Sequence, residues 1–221
     1  MYTIGLTGNI GCGKSTVLCM LEALGGRIID ADKLAHQVME PGSDVWYAIV
    51  EAFGQAIVAP DGRIDRPGMG RIVFSDPQAL RRLEALVHPA VDAEIHAQIE
   101  AATEPVVVIE AIKLVEAGLH RDLNALWIVT CSREQQFERL VRQRGMSYEA
   151  ARQRIEAQAP IEDKLALASV VIDNSGTLDD TWRQVLAAWE GILGAPARRE
   201  ALPSCGQDAD QPRHLSVLVS G

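Results

Sequence analysis

The sequence lacks the basic excess that proteins binding nucleic acids usually carry. Its 221 residues include 21 lysines and arginines against 30 aspartates and glutamates, for a net charge of −9, whereas general nucleic-acid binding favours basic surfaces. It also lacks an apolar run of the roughly 18 residues needed to cross a bilayer, and its N-terminus has the pattern of a core strand rather than of a signal peptide. We therefore expect no nucleic-acid and no membrane partner. The cysteine usage described next favours the reducing cytoplasm, and we expect a monomer or small homo-oligomer.

Cysteine and histidine are too scattered to indicate a metal centre. The four cysteines are Cys12, Cys19, Cys131 and Cys205, and they show no metal-like clustering and no disulfide framework. No two of the five histidines have metal-ligand spacing. Cys12 lies in a glycine-rich loop before a predicted helix, where the helix N-terminus could lower the pKa of its thiol. It is therefore either a small filler residue or a site sensitive to thiol reagents.

A phosphate-binding loop lies close to the N-terminus. The stretch Gly8-Asn9-Ile10-Gly11-Cys12-Gly13-Lys14-Ser15 fits the pattern G-x-x-x-x-G-K-[ST]. The residues before it predict a strand over 2–6, and those after it predict a helix over 16–24. Glycines allow several backbone N–H groups to point inwards, and the helix adds its positive N-terminal end. The alternative is a chance glycine turn. The predicted ATP-binding residues here are Gly8, Asn9, Gly11, Cys12, Gly13, Lys14, Ser15 and Thr16.

Two side chains of this loop have specific predicted roles. Lys14 would reach the β- and γ-phosphates of ATP, and the Ser15 hydroxyl would ligate Mg²⁺. The sequence contains no Asn-Lys-x-Asp guanine motif, and it is too short for an ABC or AAA module with its accessory parts. A small kinase is the class that remains.

Five short apolar segments, separated by helical patterns, predict a parallel sheet. They cover residues 2–6, 27–30, 106–109, 126–130 and 170–172. Such alternation implies an α/β fold with helices on both faces of the sheet, here the three-layer fold of P-loop NTPases. Residues 34–102 are predicted to be almost wholly helical, with Pro89 starting a new helix, and to form a substrate-binding excursion from the sheet.

Polar residues follow the predicted strands at the edge where ligands bind in such folds. Asp30 and Asp32 follow the second strand, and a carboxylate there could accept a proton from an attacking hydroxyl. The alternative is that Asp32 caps the helix that starts near Lys33. Both can hold, with Asp30 nearer the Mg²⁺ shell. Ser132 and Gln135 predict a capping box for the helix after the fourth strand.

An arginine-rich segment lies between the fourth and fifth strands. Two short helices hinged at Gly145 are typical of a lid over phosphates, where arginine neutralises charge on the transferred phosphoryl group; the alternative is a solvated helical face. In the excursion, Arg63, Arg66 and Arg71 could hold substrate phosphate groups or lie free on the surface. The lid arginines are Arg133, Arg139, Arg142, Arg144, Arg152 and Arg154. The predicted organisation is one kinase domain over residues 1–194, with a lid at about 133–165 and a mobile tail over 195–221.

Several of these motifs together resemble the dephospho-coenzyme A kinases, along nearly the whole of residues 1–193. The resemblance implies that ATP phosphorylates the ribose 3′-hydroxyl of dephospho-CoA, giving CoA and ADP, the last step of CoA synthesis. The motifs that carry it are Ile4-Gly5-Leu6-Thr7-Gly8, Ile29-Asp30-Ala31-Asp32, Gly62-Arg63-Ile64-Asp65-Arg66, Val73-Phe74, His88-Pro89, Leu114-Val115-Glu116, Ser132 through Arg139, Ala157-Gln158 and Asp173-Asn174-Ser175-Gly176.

The resemblance also implies roles for single residues. Asp32 is similar to the family's base facing the 3′-hydroxyl, Arg139 resembles its lid arginine, and Asn174 lies where the adenine of ATP should rest. Asp32, Arg63, Arg66 and His88 are the substrate-binding candidates. The alternatives are another P-loop kinase that acts on a nucleotide or nucleoside, and a nucleotide-regulated binding protein.

The sequence departs from the family pattern in two places. Ile112-Lys113-Leu114 stands where many members carry Pro-Leu-Leu, and Gln143 stands where the family often has a second lid arginine, flanked here by Arg142 and Arg144. The first departure leaves open whether Lys113 faces substrate phosphate or solvent, and the second leaves open which lid arginine contacts the transferred phosphate.

Overall fold

A computed structural model describes residues 1–193 and Pro203. The chain divides into two compact units, one containing residues 1–29 and 103–193 and the other residues 30–102. The predicted tail over 195–221 lies outside the described residues, apart from Pro203.

The five strands form one sheet in the order β2-β3-β1-β4-β5. The strands are β1 (Tyr2–Thr7), β2 (Arg27–Asp30), β3 (Val106–Glu110), β4 (Ala125–Thr130) and β5 (Val170–Asp173). β1 pairs in parallel with β3 and β4, and β4 pairs in parallel with β5, so the carboxyl ends of these four strands meet at one edge. The prediction of a parallel five-stranded α/β sheet is confirmed.

The first unit is built around the central strands. Ile4, Val108 and Trp127 are fully buried, as expected for parallel strands covered on both faces. On one face they share a core with helices α1 (Lys14–Ala23) and α9 (Leu178–Leu193). The remaining helices of this unit are α6 (Arg133–Glu138), which continues as a π-helical turn over Arg139–Gln143, α7 (Tyr148–Glu156) and α8 (Ile161–Leu165), with a 3₁₀ turn over Leu119–Asp122.

The second unit is helical. Helix α5 (Pro77–Ala101) contacts α2 (Ala31–Gln37), α3 (Asp44–Phe53) and α4 (Arg66–Ser75). A 3₁₀ turn over Gln55–Ile57 follows α3, and an antiparallel bridge joins Val58 to Ile64. The buried residues of this unit include Ile49, Met69 and Val73.

The prediction that Pro89 starts a new helix is wrong. Helix α5 runs without interruption for 25 residues and holds Pro89 in its interior. Proline has no N–H, so one bond to the preceding turn is lost. However, Leu83, Val87, Val91 and Ile95 are buried at a spacing of four residues that continues through this point. Burial of that stripe keeps the two halves in one helix, because each such side chain contributes roughly 1.5–3 kcal/mol.

Candidate active site

The glycine-rich loop joins β1 to α1, as its pattern predicts. Gly11 and Gly13 have φ of 75° and 83°, in the left-handed region that favours glycine. At Gly13 an added Cβ would also collide with the amide nitrogen of the Asn174 side chain. Lys14, the first residue of α1, donates from Nζ to the carbonyl of Gly8 at 3.0 Å. The loop therefore has the strand before it, the helix after it and the lysine that a phosphate cradle needs.

Three successive carbonyls of the loop accept hydrogen bonds from side chains outside it. Gln136 Nε2 donates to the carbonyl of Ile10 at 3.1 Å, and Arg139 Nη1 donates to that of Gly11 at 3.1 Å. Asn174 Nδ2 donates to the carbonyl of Cys12 at 2.8 Å. Side chains of the protein therefore satisfy the carbonyl groups on one side of the loop.

This arrangement decides which way the loop's N–H groups point. None of the described peptide bonds is cis, and in a trans peptide the C=O of one residue and the N–H of the next point in opposite directions. Since the carbonyls of Ile10 and Cys12 are held by Gln136 and Asn174, the N–H groups of Gly11 and Gly13 face the other side. There they can donate to phosphate oxygens. The loop geometry fits a polyphosphate.

The ends of β4 and β5 supply the groups that hold the loop. Asn174 follows β5, is 4% exposed, and accepts a bond from the buried Thr181 hydroxyl at 2.8 Å. Arg139 Nη2 donates to the Asn174 carbonyl at 2.8 Å, so this guanidinium joins the loop to the β5 end. Arg139 is thereby distinguished from the other arginines of the predicted lid.

The capping box predicted at Ser132 is only half formed. The Ser132 hydroxyl accepts from the Gln135 N–H at 3.3 Å, as predicted. The Gln135 side chain does not return to Ser132 but donates to the carbonyl of Ser175 at 2.7 Å, and the Ser132 N–H is taken by the Ser175 hydroxyl. Ser175, which follows β5, therefore takes the place of the local bond between the Gln135 side chain and the Ser132 N–H.

Two glutamines of the site were missed by reasoning from residue types. Gln158 Oε1 accepts from the Ile10 N–H at 2.7 Å, and Gln136, which is 8% exposed, also donates to the Cys12 sulfur at 3.3 Å. The sequence indicated Gln158 only through the Ala157-Gln158 pair, one of the motifs that carry the family resemblance. The available signal for Gln136 was its position in the Ser132–Arg139 family motif, one turn before Arg139.

The loop cysteine has an unusual environment. Cys12 is 2% exposed. A hydrogen bond with the Cys131 side chain, together with those from Gln136 and the charge of Lys14, lowers the pKa of the Cys12 thiol to about 6, although burial opposes the shift. The same thiol–thiol bond raises the pKa of Cys131.

Most other arginines of the predicted lid form surface ion pairs. Arg133 pairs with Glu156 at 3.5 Å and Arg142 with Glu138 at 2.6 Å. Arg152 reaches Glu149 at 3.2 Å. The Arg142 and Arg152 pairs, four and three residues apart, fit the alternative of a solvated helical face, for which such pairs contribute about 0.2–0.5 kcal/mol each. The Arg133 pair instead joins α6 to α7.

In the helical unit, Asp30 and Asp32 have different structural positions. Asp30 ends β2 and caps α2, with Oδ1 accepting from the Lys33 N–H at 2.8 Å. Asp32 lies in the first turn of α2. The alternative in which Asp32 is the cap is therefore wrong, because the cap is Asp30, two residues earlier.

Of the other substrate-binding candidates of this unit, Arg63 and Arg66 lie close enough to interact electrostatically, and both interact with Glu40. Arg66 Nη1 lies 3.0 Å from His36 Nδ1, and partial burial lowers the pKa of the Arg66 guanidinium. Arg63 pairs with Glu40 at 3.4 Å on the surface. His88 is exposed on α5.

Within residues 1–193, no three histidine, cysteine or carboxylate side chains are grouped closely enough to hold a metal ion. Over the same part of the chain, no helix has both the length and the apolar character to cross a bilayer.

Several known proteins match this sequence over most of its length. A family model described as "Dephospho-CoA kinase" matches residues 2–180. A dephospho-CoA kinase of Symbiobacterium thermophilum is 44% identical over 207 residues, which are 92% of this chain and 87% of that protein. One of Geobacter metallireducens is 46% identical over 193 residues, which are 86% of this chain and 96% of that protein.

Two solved structures are also similar. A crystal structure of a Thermus thermophilus protein, 35% identical, superposes with a TM-score of 0.77 over 87% of this chain and 97% of that one. A dephospho-CoA kinase from Campylobacter jejuni, 28% identical, superposes with a TM-score of 0.62 over 86% of this chain and 96% of that one.

Proposed function

Because this chain belongs to the dephospho-CoA kinase family, we propose that it transfers the γ-phosphoryl group of ATP to the ribose 3′-hydroxyl of dephospho-CoA. The products are CoA and ADP. The match to the family over residues 2–180 is the observation that carries this proposal. The loop that directs the N–H groups of Gly11 and Gly13 away from its bound carbonyls supports the use of a nucleoside triphosphate.

In this proposal the loop holds the phosphates of ATP and Lys14 exchanges its contact with the Gly8 carbonyl for the β- and γ-phosphates. The Ser15 hydroxyl, at the start of α1, would hold Mg²⁺, with Asp30 as a further candidate ligand. The ion, when bound, neutralises charge on the β- and γ-phosphate oxygens. Residues Gly8, Asn9, Cys12, Thr16 and Asn174 complete the proposed ATP site.

Arg139 and Asp32 have complementary proposed roles. The Arg139 guanidinium stabilises negative charge on the transferred group, since preformed donors lower the cost of that charge. Asp32 accepts the proton of the attacking 3′-hydroxyl, which makes the oxygen a better nucleophile. Arg63, Arg66 and His88 remain candidates for contact with the acceptor. We expect the reaction to take place in the cytoplasm.

The acceptor is tested by a transfer assay that compares dephospho-CoA with AMP, CMP and a nucleoside. Transfer to dephospho-CoA is expected, while transfer to a monophosphate alone would favour a different P-loop kinase. Hydrolysis of ATP that does not depend on any acceptor would indicate a nucleotide-regulated binding protein instead.

The base is tested by Asp32→Asn. We expect turnover to fall by at least ~10²-fold, the lower range for loss of a general base, with little change in ATP affinity. Glu51→Gln, an exposed carboxylate on α3 of the same unit, is the matched control and should retain normal turnover. Near-normal turnover of Asp32→Asn would reject Asp32 as the base.

A further inference from the structure

Two thiols lie together beside the phosphate loop, and the proposed transfer does not use them. In the register of the parallel pair β1 and β4, Thr7 lies beside Ile128, so the chain that leaves β4 passes the loop that leaves β1. Cys131 follows β4, and its Sγ donates to the carbonyl of Gly11 at 3.6 Å. Gly11 precedes Cys12, so Cys131 lies beside the loop cysteine, close enough for its side chain to lower the pKa of the Cys12 thiol. Both are free cysteines.

We propose that Cys12 and Cys131 are an oxidisable pair whose reversible disulfide switches off phosphate binding by the loop. The formation of the bond is a property of the two thiols and their neighbours alone. Its effect on phosphoryl transfer rests on the proposed function.

The surroundings of the pair suit oxidation by a small oxidant. Cys12 is buried, whereas Cys131 is partly exposed, so solvent can reach the pair from the side of Cys131. The Gln136 amide donates to the Cys12 sulfur at 3.3 Å, which favours the thiolate form that reacts with oxidants. The lowered pKa of Cys12 agrees with this geometry.

With hydrogen peroxide as the oxidant, the step is balanced. One thiolate of the pair attacks a peroxide oxygen, the O–O bond breaks, and the sulfur becomes a sulfenic acid while hydroxide leaves and takes up a proton. The second thiol then attacks that sulfur, forms the S–S bond and releases water. In total the two thiols lose two electrons and two protons, and one peroxide becomes two water molecules.

The disulfide would change the loop because a sulfur–sulfur bond is shorter than the hydrogen bond it replaces. Its length of about 2.05 Å requires Cys12 and the end of β4 to approach each other. The carbonyls of Ile10, Gly11 and Cys12 are each held at 2.8–3.1 Å by a donor side chain, and a shift of Cys12 disturbs these contacts. A displacement of about 1 Å at a reacting centre can reduce the rate by ~10²-fold, and we expect a loss of that order.

The chemical part of the proposal is tested by peptide mapping of the oxidised protein. After treatment with peroxide and alkylation of the remaining thiols, a cross-linked peptide containing Cys12 and Cys131 is expected, and dithiothreitol should remove it. Cys19 is disulfide-bonded, contrary to the expectation of no disulfide framework. In a Cys19→Ser/Cys205→Ser background Cys12 and Cys131 are the only cysteines, so the cross-link can be assigned to them alone. Mapping of the unmodified chain keeps the test valid if that background folds poorly. Absence of the cross-link in the folded, oxidised chain overturns the proposal.

The switch is tested by ATP binding and by transfer, before and after oxidation and again after reduction. We expect oxidation to lower the rate of transfer by about 10²-fold and to weaken ATP binding, and we expect dithiothreitol to reverse both effects. Cys131→Ser should keep the basal turnover and ATP binding, and it should show neither the cross-link nor a loss that dithiothreitol reverses. A cross-linked protein that binds ATP normally would reject the switch. If the reduced protein binds ATP but transfers nothing to dephospho-CoA, the proposed function fails, and the binding data still decide the switch.

Discussion

Replacement of Asn174 by alanine tests whether the side chains around the phosphate loop position it for ATP. In the folded protein, Asn174 Nδ2 donates to the Cys12 carbonyl at 2.8 Å, and Oδ1 accepts from the Thr181 hydroxyl at 2.8 Å. Asn174→Ala removes both bonds. The Thr181 hydroxyl keeps an alternative acceptor, the carbonyl of Thr177 at 3.2 Å, so the main loss is the donor to Cys12.

The expected change in the Kd for ATP follows from the free-energy cost of leaving the buried Cys12 carbonyl without a donor. That cost is about 1–3 kcal/mol, which corresponds to roughly a 5- to 150-fold change in an equilibrium constant at 25 °C. If the loop escapes this cost by turning the Cys12 carbonyl towards water, the N–H of Gly13 turns with it and no longer faces the phosphates. We therefore expect the Kd for ATP to rise within that range.

The assay is ATP binding to the purified variant, with the melting temperature measured alongside. Thr181→Val is the matched control, because it removes the bond to Asn174 Oδ1 and leaves the bond to Cys12. It should lower the melting temperature with a smaller effect on the Kd for ATP. A folded Asn174→Ala protein with an unchanged Kd for ATP would refute the reasoning, since the loop would then hold its shape without this donor.

Three further variants test the loop and the fold separately. Gln158→Leu removes the acceptor of the part-buried Ile10 N–H and should raise the KM for ATP by about 5-fold, the lower end of the roughly 1–3 kcal/mol that a donor without a partner costs; a normal KM would contradict this. Gly13→Ala, at φ of 83° and against the Asn174 amide, should abolish measurable ATP binding in a folded protein, with Gly25→Ala, also at positive φ but with no atom near the added Cβ, as the control. Pro89→Ala should raise the free energy of unfolding by up to about 3 kcal/mol, because it restores an N–H to the interior of α5; a lower midpoint of urea unfolding would show that Pro89 stabilises its surroundings.

The prediction of Pro89 as a helix start shows where local signals fail. A proline next to an exposed histidine is, by local rules, a boundary. The packing of α5 against α2, α3 and α4 favours one long helix, and the buried stripe from Leu83 to Ile95 could be connected across the proline only once those neighbours were known. The half-formed capping box at Ser132 has the same cause, since Ser175 belongs to a distant part of the chain.

The sequence by itself determined the strands, the phosphate loop and the family. These depend on short-range chemistry: apolar runs that must be buried, glycines that allow positive φ, and a lysine and serine at the start of a helix. The predicted catalytic role of Asp32 and the substrate contacts of Arg63, Arg66 and His88 also came from the sequence and stay predictions.

Only the tertiary structure decided what holds the loop in place. Asn174 lies 162 residues from Cys12 along the chain, Gln158 lies 148 residues from Ile10, and Arg139 lies 128 residues from Gly11. No local pattern links such pairs. They meet because parallel pairing places the ends of β1, β4 and β5 at one edge of the sheet, and the same edge brings Cys131 to the cysteine of the loop.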